Sequence, residues 1–195
     1  MGRTRTSGAA ALPLSLILGL CVSCSKPPPT NPGDLIITEI MNDPLTVSDN
    51  GGEWFELYNP TGRAIDIEGW TITDNGADSH IVDNSAPLLI LANGYLLLGN
   101  NPDFGTNGGV TLNYAYGTDI FLSNSADAIH LLDSLSVLID GVDYSAAGGF
   151  PHVPGASMSL EPSAPANDDA AKWCRSSTQF GDGDFGTPGL ANECH

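Results

Sequence analysis

From Gly33 onward the sequence has no sustained apolar repeat of 3.6 residues, which argues against a fold built from amphipathic helices. Short apolar runs alternate instead with turn clusters such as "DNGG", "DNGAD", "NNPDFGTNGG" and "GDGDFG". Asn and Asp tolerate positive φ and Gly has no Cβ, so these clusters suit tight turns between strands. The pattern predicts an all-β fold, and about ten short strands in about 160 residues suit a single sandwich domain.

The predicted strands are short and closely spaced, and no repeat of constant period suggests a propeller or β-helix. Within residues 127–133, alternation places His130 on the opposite side from Ile129 and Leu131, so His130 is predicted to lie at the rim or surface. The predicted strands cover residues 35–41, 53–59, 64–67, 69–74, 88–92, 94–99, 119–123, 127–133, 136–144, 157–161 and 171–177.

The run "EWFELYN" carries two glutamates, Glu53 and Glu56, around an aromatic pair. On a helix, residues three apart share a face, whereas on a strand they point to opposite faces. The run lies between a Gly pair and a Pro and is too short for a stable helix. The strand interpretation therefore holds, and the two glutamates are not a catalytic pair within this strand.

Phe55 and Leu57 form the more apolar face of this strand, so we assign them to the core. Trp54 and Tyr58 then lie on the outer face or beneath a covering loop, with Glu56 between them. A buried lone carboxylate is costly unless it is hydrogen-bonded or paired. Because the chain has few bases, backbone or hydroxyl donors are expected to hold whichever glutamate lies inward.

The N-terminus has the pattern of a secretory signal peptide, with Arg3 and Arg5 followed by an apolar run at residues 9–20. That run is too short to indicate a membrane-spanning helix. The next residues resemble a bacterial lipoprotein signal because Cys24 follows the small residue Ser23, although Cys21 stands where such signals have Leu. We predict a signal peptide over residues 1–23 and a lipid on Cys24. Ordinary secretion with cleavage nearby is the alternative.

Residues 24–33 contain three consecutive prolines and are predicted to form an extended tether before a domain at residues 34–195. The protein is expected to be an exported, membrane-anchored lipoprotein on the outer membrane or cell surface of a bacterium. Membrane contact would be through the N-terminal lipid only. Ser25 fits the outer-membrane-directed pattern in a two-membrane bacterium.

Cys174 and Cys194 are left once Cys21 is removed with the signal and Cys24 is lipidated. In an oxidising compartment they can form a disulfide, which would stabilise the fold by about 3 kcal/mol in the chain-entropy model. The rival interpretation is a pair of metal ligands, but neighbouring Cys or His at zinc spacing are missing and His195 alone does not supply them.

The charge is strongly negative, with 23 acidic residues against six Lys and Arg and a net charge of −17. Such a surface repels phosphate backbones, and the basic patch that nucleic-acid binding needs is missing, so no nucleic-acid partner is expected. The acidity serves solubility or reflects a preference for divalent cations.

The order of motifs resembles the lamin-tail domain family. The resemblance runs through "LIITEIMNDP", "GGEWFELYNPTGRAIDIEGWTITD", "LILANGYLLLGN", "DAIHLLDSLSVLIDGVDY", "SMSLEP", "KWCRSS" and "GTPGLAN", and covers nearly all of residues 34–192. It implies an immunoglobulin-like β-sandwich in which Trp54 and Trp70 are packing residues of adjacent strands. It also implies an exported attachment module. The DNA binding of some animal members fits poorly with this acidity.

No motif for catalysis is present, and His80, His130, His152 and His195 are scattered singly. Calcium is the one cofactor for which the sequence offers candidate ligands, which are the carboxylates of Asp74, Asp78, Asp182 and Asp184 on turns. Neither pair completes a known calcium loop, so a turn role is the alternative.

The sequence therefore predicts a non-enzymatic binding or adhesion module displayed on the cell envelope, whose partner is a protein or an envelope or surface component. Two alternatives stay open. One is a structural lipoprotein that scaffolds partner envelope proteins, and the more distant one is a hydrolase with an unrecognised site. Exposed aromatics on one sandwich face would favour the first two, whereas a deep pocket with converging carboxylates would favour the third.

Overall fold

The short apolar runs of the sequence form short strands, and the computed structural model describes residues 1–2, 30–164 and 166–194. The predicted lipidation at Cys24, His195 and nearly all of the predicted signal peptide lie outside the described residues. A four-residue helix (Asp49–Gly52) and a 3₁₀ helix (Ala170–Lys172) interrupt the strands. The strands are β1 (Ile36–Met41), β2 (Trp54–Tyr58), β3 (Ile65–Asp66), β4 (Thr71–Thr73), β5 (Ser79–Ile81), β6 (Leu89–Ile90), β7 (Tyr95–Gly99), β8 (Tyr114–Ala115), β9 (Ala126–Leu132), β10 (Leu138–Ser145), β11 (Met158–Leu160) and β12 (Trp173–Arg175).

The described strands form two main sheets. A six-stranded sheet has the order β12-β11-β1-β2-β7-β8, in which only the short β7–β8 pair is parallel. A four-stranded antiparallel sheet has the order β10-β9-β4-β5, and β3 pairs with β6. The prediction of an all-β, immunoglobulin-like sandwich is confirmed.

The predicted strand at residues 119–123 is wrong, although Ile120 and Leu122 are buried. Its backbone amides donate hydrogen bonds to carboxylates and not to a neighbouring strand. Phe121 N donates to Asp78 at 2.8 Å, and Leu122 N donates to Glu53 at 3.1 Å. Apolar alternation therefore predicted the burial of this segment but not its hydrogen-bond partners.

Two observed strands, β5 and β8, were not predicted. They have three and two residues respectively, and only Ile81, Tyr114 and Ala115 among them are apolar. Their extended geometry comes from pairing with β4 and β7. Runs this short carry too little alternation to be recognised in a sequence.

The main core lies between the two large sheets and contains Phe55 and Leu57, both with no exposed surface. The Phe55 ring stacks on Tyr116 with centroids 6.0 Å apart. The assignment of this face of β2 to the core agrees with the structure.

A second, smaller cluster lies on the outer face of the six-stranded sheet, where Trp54 packs with Met41, Leu97 and Val110. The Trp54 ring also meets Phe180 edge-on at 5.9 Å. Trp54 is therefore buried beneath covering segments. Trp70 instead joins the main core next to β4. The two tryptophans are packing residues, but not of adjacent strands, because the neighbours of β2 are β1 and β7.

Candidate functional site on the outer face of the six-stranded sheet

Glu39 on β1 lies directly opposite Glu56 on β2, and neither has exposed surface. A register shift between Ile37 and Glu39 marks a β-bulge at Thr38. As a result, Thr38 and Glu39, although consecutive, both serve the outer face: Thr38 Oγ1 donates to Glu56 at 2.9 Å. The outer face of this sheet thus carries two buried carboxylates.

Glu39 accepts hydrogen bonds from the Thr187 amide at 2.8 Å and from the Thr187 hydroxyl at 3.0 Å. The hydroxyls of Ser157, Ser159 and Ser176 also donate to it. Burial raises the pKa of Glu39, and these hydrogen bonds partly oppose the rise. Every donor is a hydroxyl or a backbone amide.

Glu56 accepts a hydrogen bond from the Gly189 amide at 2.7 Å in addition to that from Thr38. Burial, followed by the charge of Glu39, raises the pKa of Glu56 to about 8. Gly189 has φ of +81°, which favours glycine at this position. Side chains of β1 and β2 thus capture the C-terminal segment, which we define as residues 177–194.

Asn192 completes this attachment, because its amide nitrogen donates to the carbonyls of Thr38 at 2.7 Å and Leu160 at 2.9 Å. The run "GTPGLAN" therefore holds the C-terminal segment to the sheet through Thr187, Gly189 and Asn192. The predicted disulfide between Cys174 and Cys194 is confirmed, with Cα atoms 5.7 Å apart. It joins β12 to the end of the same segment.

We predict that replacing both Cys174 and Cys194 by Ser lowers the free energy of unfolding by about 3 kcal/mol, because the disulfide restricts the unfolded chain. Equilibrium denaturation of the purified protein and of the double variant measures this. Non-reducing mass spectrometry should show the parent lighter than its reduced form by two hydrogens. Two free thiols in protein purified without reductant would contradict the prediction.

Glu53 immediately precedes β2, on the face opposite to Glu56, and is also buried, at 3% exposed. It accepts a hydrogen bond from the Leu122 amide, and burial raises its pKa to about 8, with nearby Asp49 adding to the rise. The expectation that only one glutamate of this strand lies inward is therefore wrong. Covering segments enclose both faces of β2, and the donors to both glutamates are backbone amides or hydroxyls, as expected.

The aspartates proposed for calcium serve turns and loops in the structure. Asp74 accepts from the Asp78 amide at 3.0 Å, and Asp78 accepts from the Phe121 amide. Asp184 is 4% exposed and accepts from the amides of Leu45 and Thr46. Asp182 is exposed.

Among the described residues, no group of three or more His, Cys, Asp and Glu side chains is placed to hold a metal ion. Calcium binding stays a prediction of the sequence. His130 lies beside Asp143 at 3.0 Å, and His80 contacts both Asp119 at 2.8 Å and the Tyr114 hydroxyl at 2.7 Å. No helix in the described part of the chain is both long and apolar enough to span a bilayer.

An open groove of about 260 Å³ lies where β1 begins and β2 ends, and we call it the tyrosine groove. Tyr58 on β2 and Tyr95 on β7 are cross-strand partners whose ring centroids are 4.8 Å apart at a tilt of 31°. Both rings are partly exposed. Apolar lining comes from five further residues, namely Ile36, Pro60, Leu160, Pro162 and Ala164.

Apart from the two tyrosine hydroxyls, the polar side chains of the groove already have partners within the protein. The Asn192 amide holds two carbonyls, and Thr38 donates to Glu56. Glu161, at the rim, accepts from Ser163 at 2.8 Å and from Lys172 at 3.3 Å. Burial, followed by the charge of Glu56, raises the pKa of Tyr95. The groove therefore presents aromatic and apolar surface with little free polar chemistry.

A family model, the lamin tail domain, matches residues 28–146, which is more than half of the 195 residues. The chain belongs to the lamin tail domain family. Among curated proteins, none matches this sequence. The lamin tail domain is an immunoglobulin-like, non-catalytic type of domain.

The lamin tail match ends at residue 146, before β11, β12 and the C-terminal segment. These parts are nevertheless integral to the six-stranded sheet, because β11 pairs with β1 and β12 pairs with β11. The tyrosine groove combines both regions, since Tyr58 and Tyr95 lie inside the match while Leu160 and Pro162 follow it.

Sequence reasoning missed the tyrosine groove. It placed Tyr58 on the outer face but gave no role to Tyr95. The groove is assembled from residues more than 100 positions apart, such as Ile36 and Pro162. The available signal was a tyrosine at one end of each strand, Tyr58 two residues before Pro60 and Tyr95 directly after Gly94, which by itself is weak.

Proposed function

We propose that this lamin tail protein is a non-enzymatic binding module, displayed on a bacterial cell envelope by a lipid on Cys24, and that the tyrosine groove is its binding surface. The observation that carries the proposal is the paired, partly exposed rings of Tyr58 and Tyr95 in an open apolar groove. Tyrosine is enriched where proteins bind partners, because its ring supplies contact area and its hydroxyl can stay solvated.

The groove suits binding better than catalysis. Its volume of about 260 Å³ falls below the roughly 300–1,000 Å³ of pockets that enclose small molecules. Catalysis also needs an acid, base or nucleophile free to reach a substrate. Glu56 lies behind the groove with no exposed surface, and Glu161 is bonded to Ser163 and Lys172. Since both carboxylates are buried or already hydrogen-bonded, the groove is better suited to holding a partner than to acting on a substrate.

Site-specific photo-crosslinking in cells tests the binding surface. A photoreactive phenylalanine analogue replaces Pro162 in the groove, and the control carries it at Phe104, which is 59% exposed beyond the other end of β7. We expect discrete crosslinked species from position 162 and not from position 104. The same products from both positions, or none from position 162, would contradict the proposal.

Lipid attachment has its own test, which is fractionation of a Cys24→Ala variant. The parent protein is expected in the membrane fraction, whereas the variant should be released to the soluble envelope fraction because it lacks the acyl chains. A Ser25→Ala variant serves as the neighbouring control and should stay with membranes. A Cys24→Ala variant that partitions as the parent does would place the anchor elsewhere.

A further inference from the structure

We propose that the ligand of the tyrosine groove is an extended, proline-rich peptide segment that carries basic residues, an inference that rests on the proposed binding function. Three properties of the groove support this ligand class. The floor is aromatic, most of the polar side chains are already hydrogen-bonded within the protein, and the protein is strongly acidic. Proteins that recognise polyproline helices also use aromatic-lined grooves.

The floor of the groove consists of the neighbouring rings of Tyr58 and Tyr95, 4.8 Å apart. Pro60, from the loop after β2, and Pro162, from the loop after β11, belong to the lining. Proline-rich segments dock in aromatic-lined grooves, and they lose little entropy on binding because their extended helix is preformed. A groove of this size accommodates a few residues of such a chain, which advances about 3.1 Å per residue.

The groove has few hydrogen-bonding groups to offer. The Asn192 amide and the Thr38 hydroxyl are occupied by partners within the protein. In the part of the chain that the structure describes, the hydroxyls of Tyr58 and Tyr95 have no hydrogen-bond partner, so they can donate to a ligand.

A carbohydrate brings many hydroxyls that need partners when they are desolvated, and this lining would leave most of them unsatisfied. A proline-rich chain has no amide hydrogen at its prolines and needs only donors for its carbonyls. The two tyrosine hydroxyls meet that need. The groove therefore favours a proline-rich peptide over a sugar.

Charge favours basic residues in the ligand. The described part of the chain contains all 23 acidic residues but only three bases, Arg63, Lys172 and Arg175. Glu161 stands at the groove rim with its side chain 39% exposed, 3.3 Å from Lys172. A surface with this excess of carboxylates attracts cationic segments and raises their rate of encounter. A lysine beside the prolines would share the Glu161 carboxylate.

The test uses the full chain purified in detergent and a dye-labelled peptide of three Lys-Pro-Pro repeats, followed by fluorescence anisotropy. Tyr95→Ala should weaken binding at least tenfold, because it removes half of the aromatic floor. Tyr95→Phe keeps the ring but removes one of the two hydroxyl donors, so it should weaken binding by less than Tyr95→Ala does, and Phe104→Ala should leave binding unchanged. Thermal melting checks that Tyr95→Ala is folded, and Tyr58→Ala provides an independent variant of the same floor.

Two further peptides separate the contributions to binding. Repeats of Lys-Ala-Ala should bind at least tenfold more weakly if prolines are recognised, and repeats of Glu-Pro-Pro should be rejected if the charge argument holds. Equal binding of the proline and alanine peptides would overturn the proposal, since charge alone would then explain binding.

The outcome of crosslinking at position 162 separates this inference from the proposed function. Crosslinks from the groove together with no binding of the Lys-Pro-Pro peptide would overturn the ligand class while leaving the binding function standing. Loss of both would overturn both. Binding of envelope polysaccharide but not of the peptide would assign the groove to a sugar and overturn the inference.

Discussion

Replacing Phe55 by Ala is expected to lower the free energy of unfolding by about 3–5 kcal/mol, because it opens a cavity between the two sheets. Phe55 has no exposed surface, and its ring stacks on Tyr116, which is itself buried. The surrounding core cannot collapse easily, since strands of both sheets hold it. Equilibrium denaturation by urea measures the loss. The parent and the variant are compared where the unfolding free energy depends on urea concentration with the same slope.

Glu56→Gln is the matched comparison, because Glu56 is the next residue on the opposite face of β2. Its pKa of about 8 means that the side chain is mainly uncharged at neutral pH, and Gln keeps the shape and an acceptor for the Gly189 amide. This variant should therefore lose much less stability than Phe55→Ala. A greater loss for Glu56→Gln would show that the two faces of β2 are reversed.

Stability is expected to fall as the pH rises from about 4.5 to about 8. Glu53 and Glu56 both have a pKa raised from 4.5 to about 8, because burial penalises the charged form. A raised pKa means that the folded state binds the proton more tightly than the unfolded state does. The contribution is therefore complete below pH 4.5 and is lost as the pH passes through 8. Asp140, whose pKa is raised from 3.8 to about 6, adds to the lower part of this window.

Thermal melting of the parent between pH 4.5 and 8.5 measures how stability depends on pH. Two variants show which carboxylates cause the dependence. Glu53→Gln and Glu56→Gln should each flatten the fall in melting temperature, because neither side chain can ionise. Glu161→Gln is the control, since the pKa of this exposed residue is lowered rather than raised. Its removal should not flatten the profile. A parent whose melting temperature rises from pH 5 to 8 would contradict the assignment of these carboxylates as buried acids.

Much of the fold follows from local sequence. The alternation in β2, the short apolar runs and the Asn-Gly and Asp-Gly turns predicted the class of fold, most strand positions and the core face that holds Phe55. These features are readable because strand periodicity and turn chemistry act over a few residues. The disulfide between Cys174 and Cys194 was predicted for a different reason. Once the other two cysteines were assigned to the predicted signal peptide and lipid, only this pair was left.

Tertiary structure decided which of these features came together. The C-terminal segment covers the outer face of the six-stranded sheet, and for that reason Glu39, Trp54 and Glu56 are all buried on a face that the sequence marks as polar or exposed. Residues 119–123 do not form a strand, because backbone amides of this segment donate to carboxylates of distant residues. The tyrosine groove likewise exists only because β11 returns beside β1. Composition and periodicity report one segment at a time, whereas the burial of a carboxylate and the walls of a groove depend on which segment the chain brings across it.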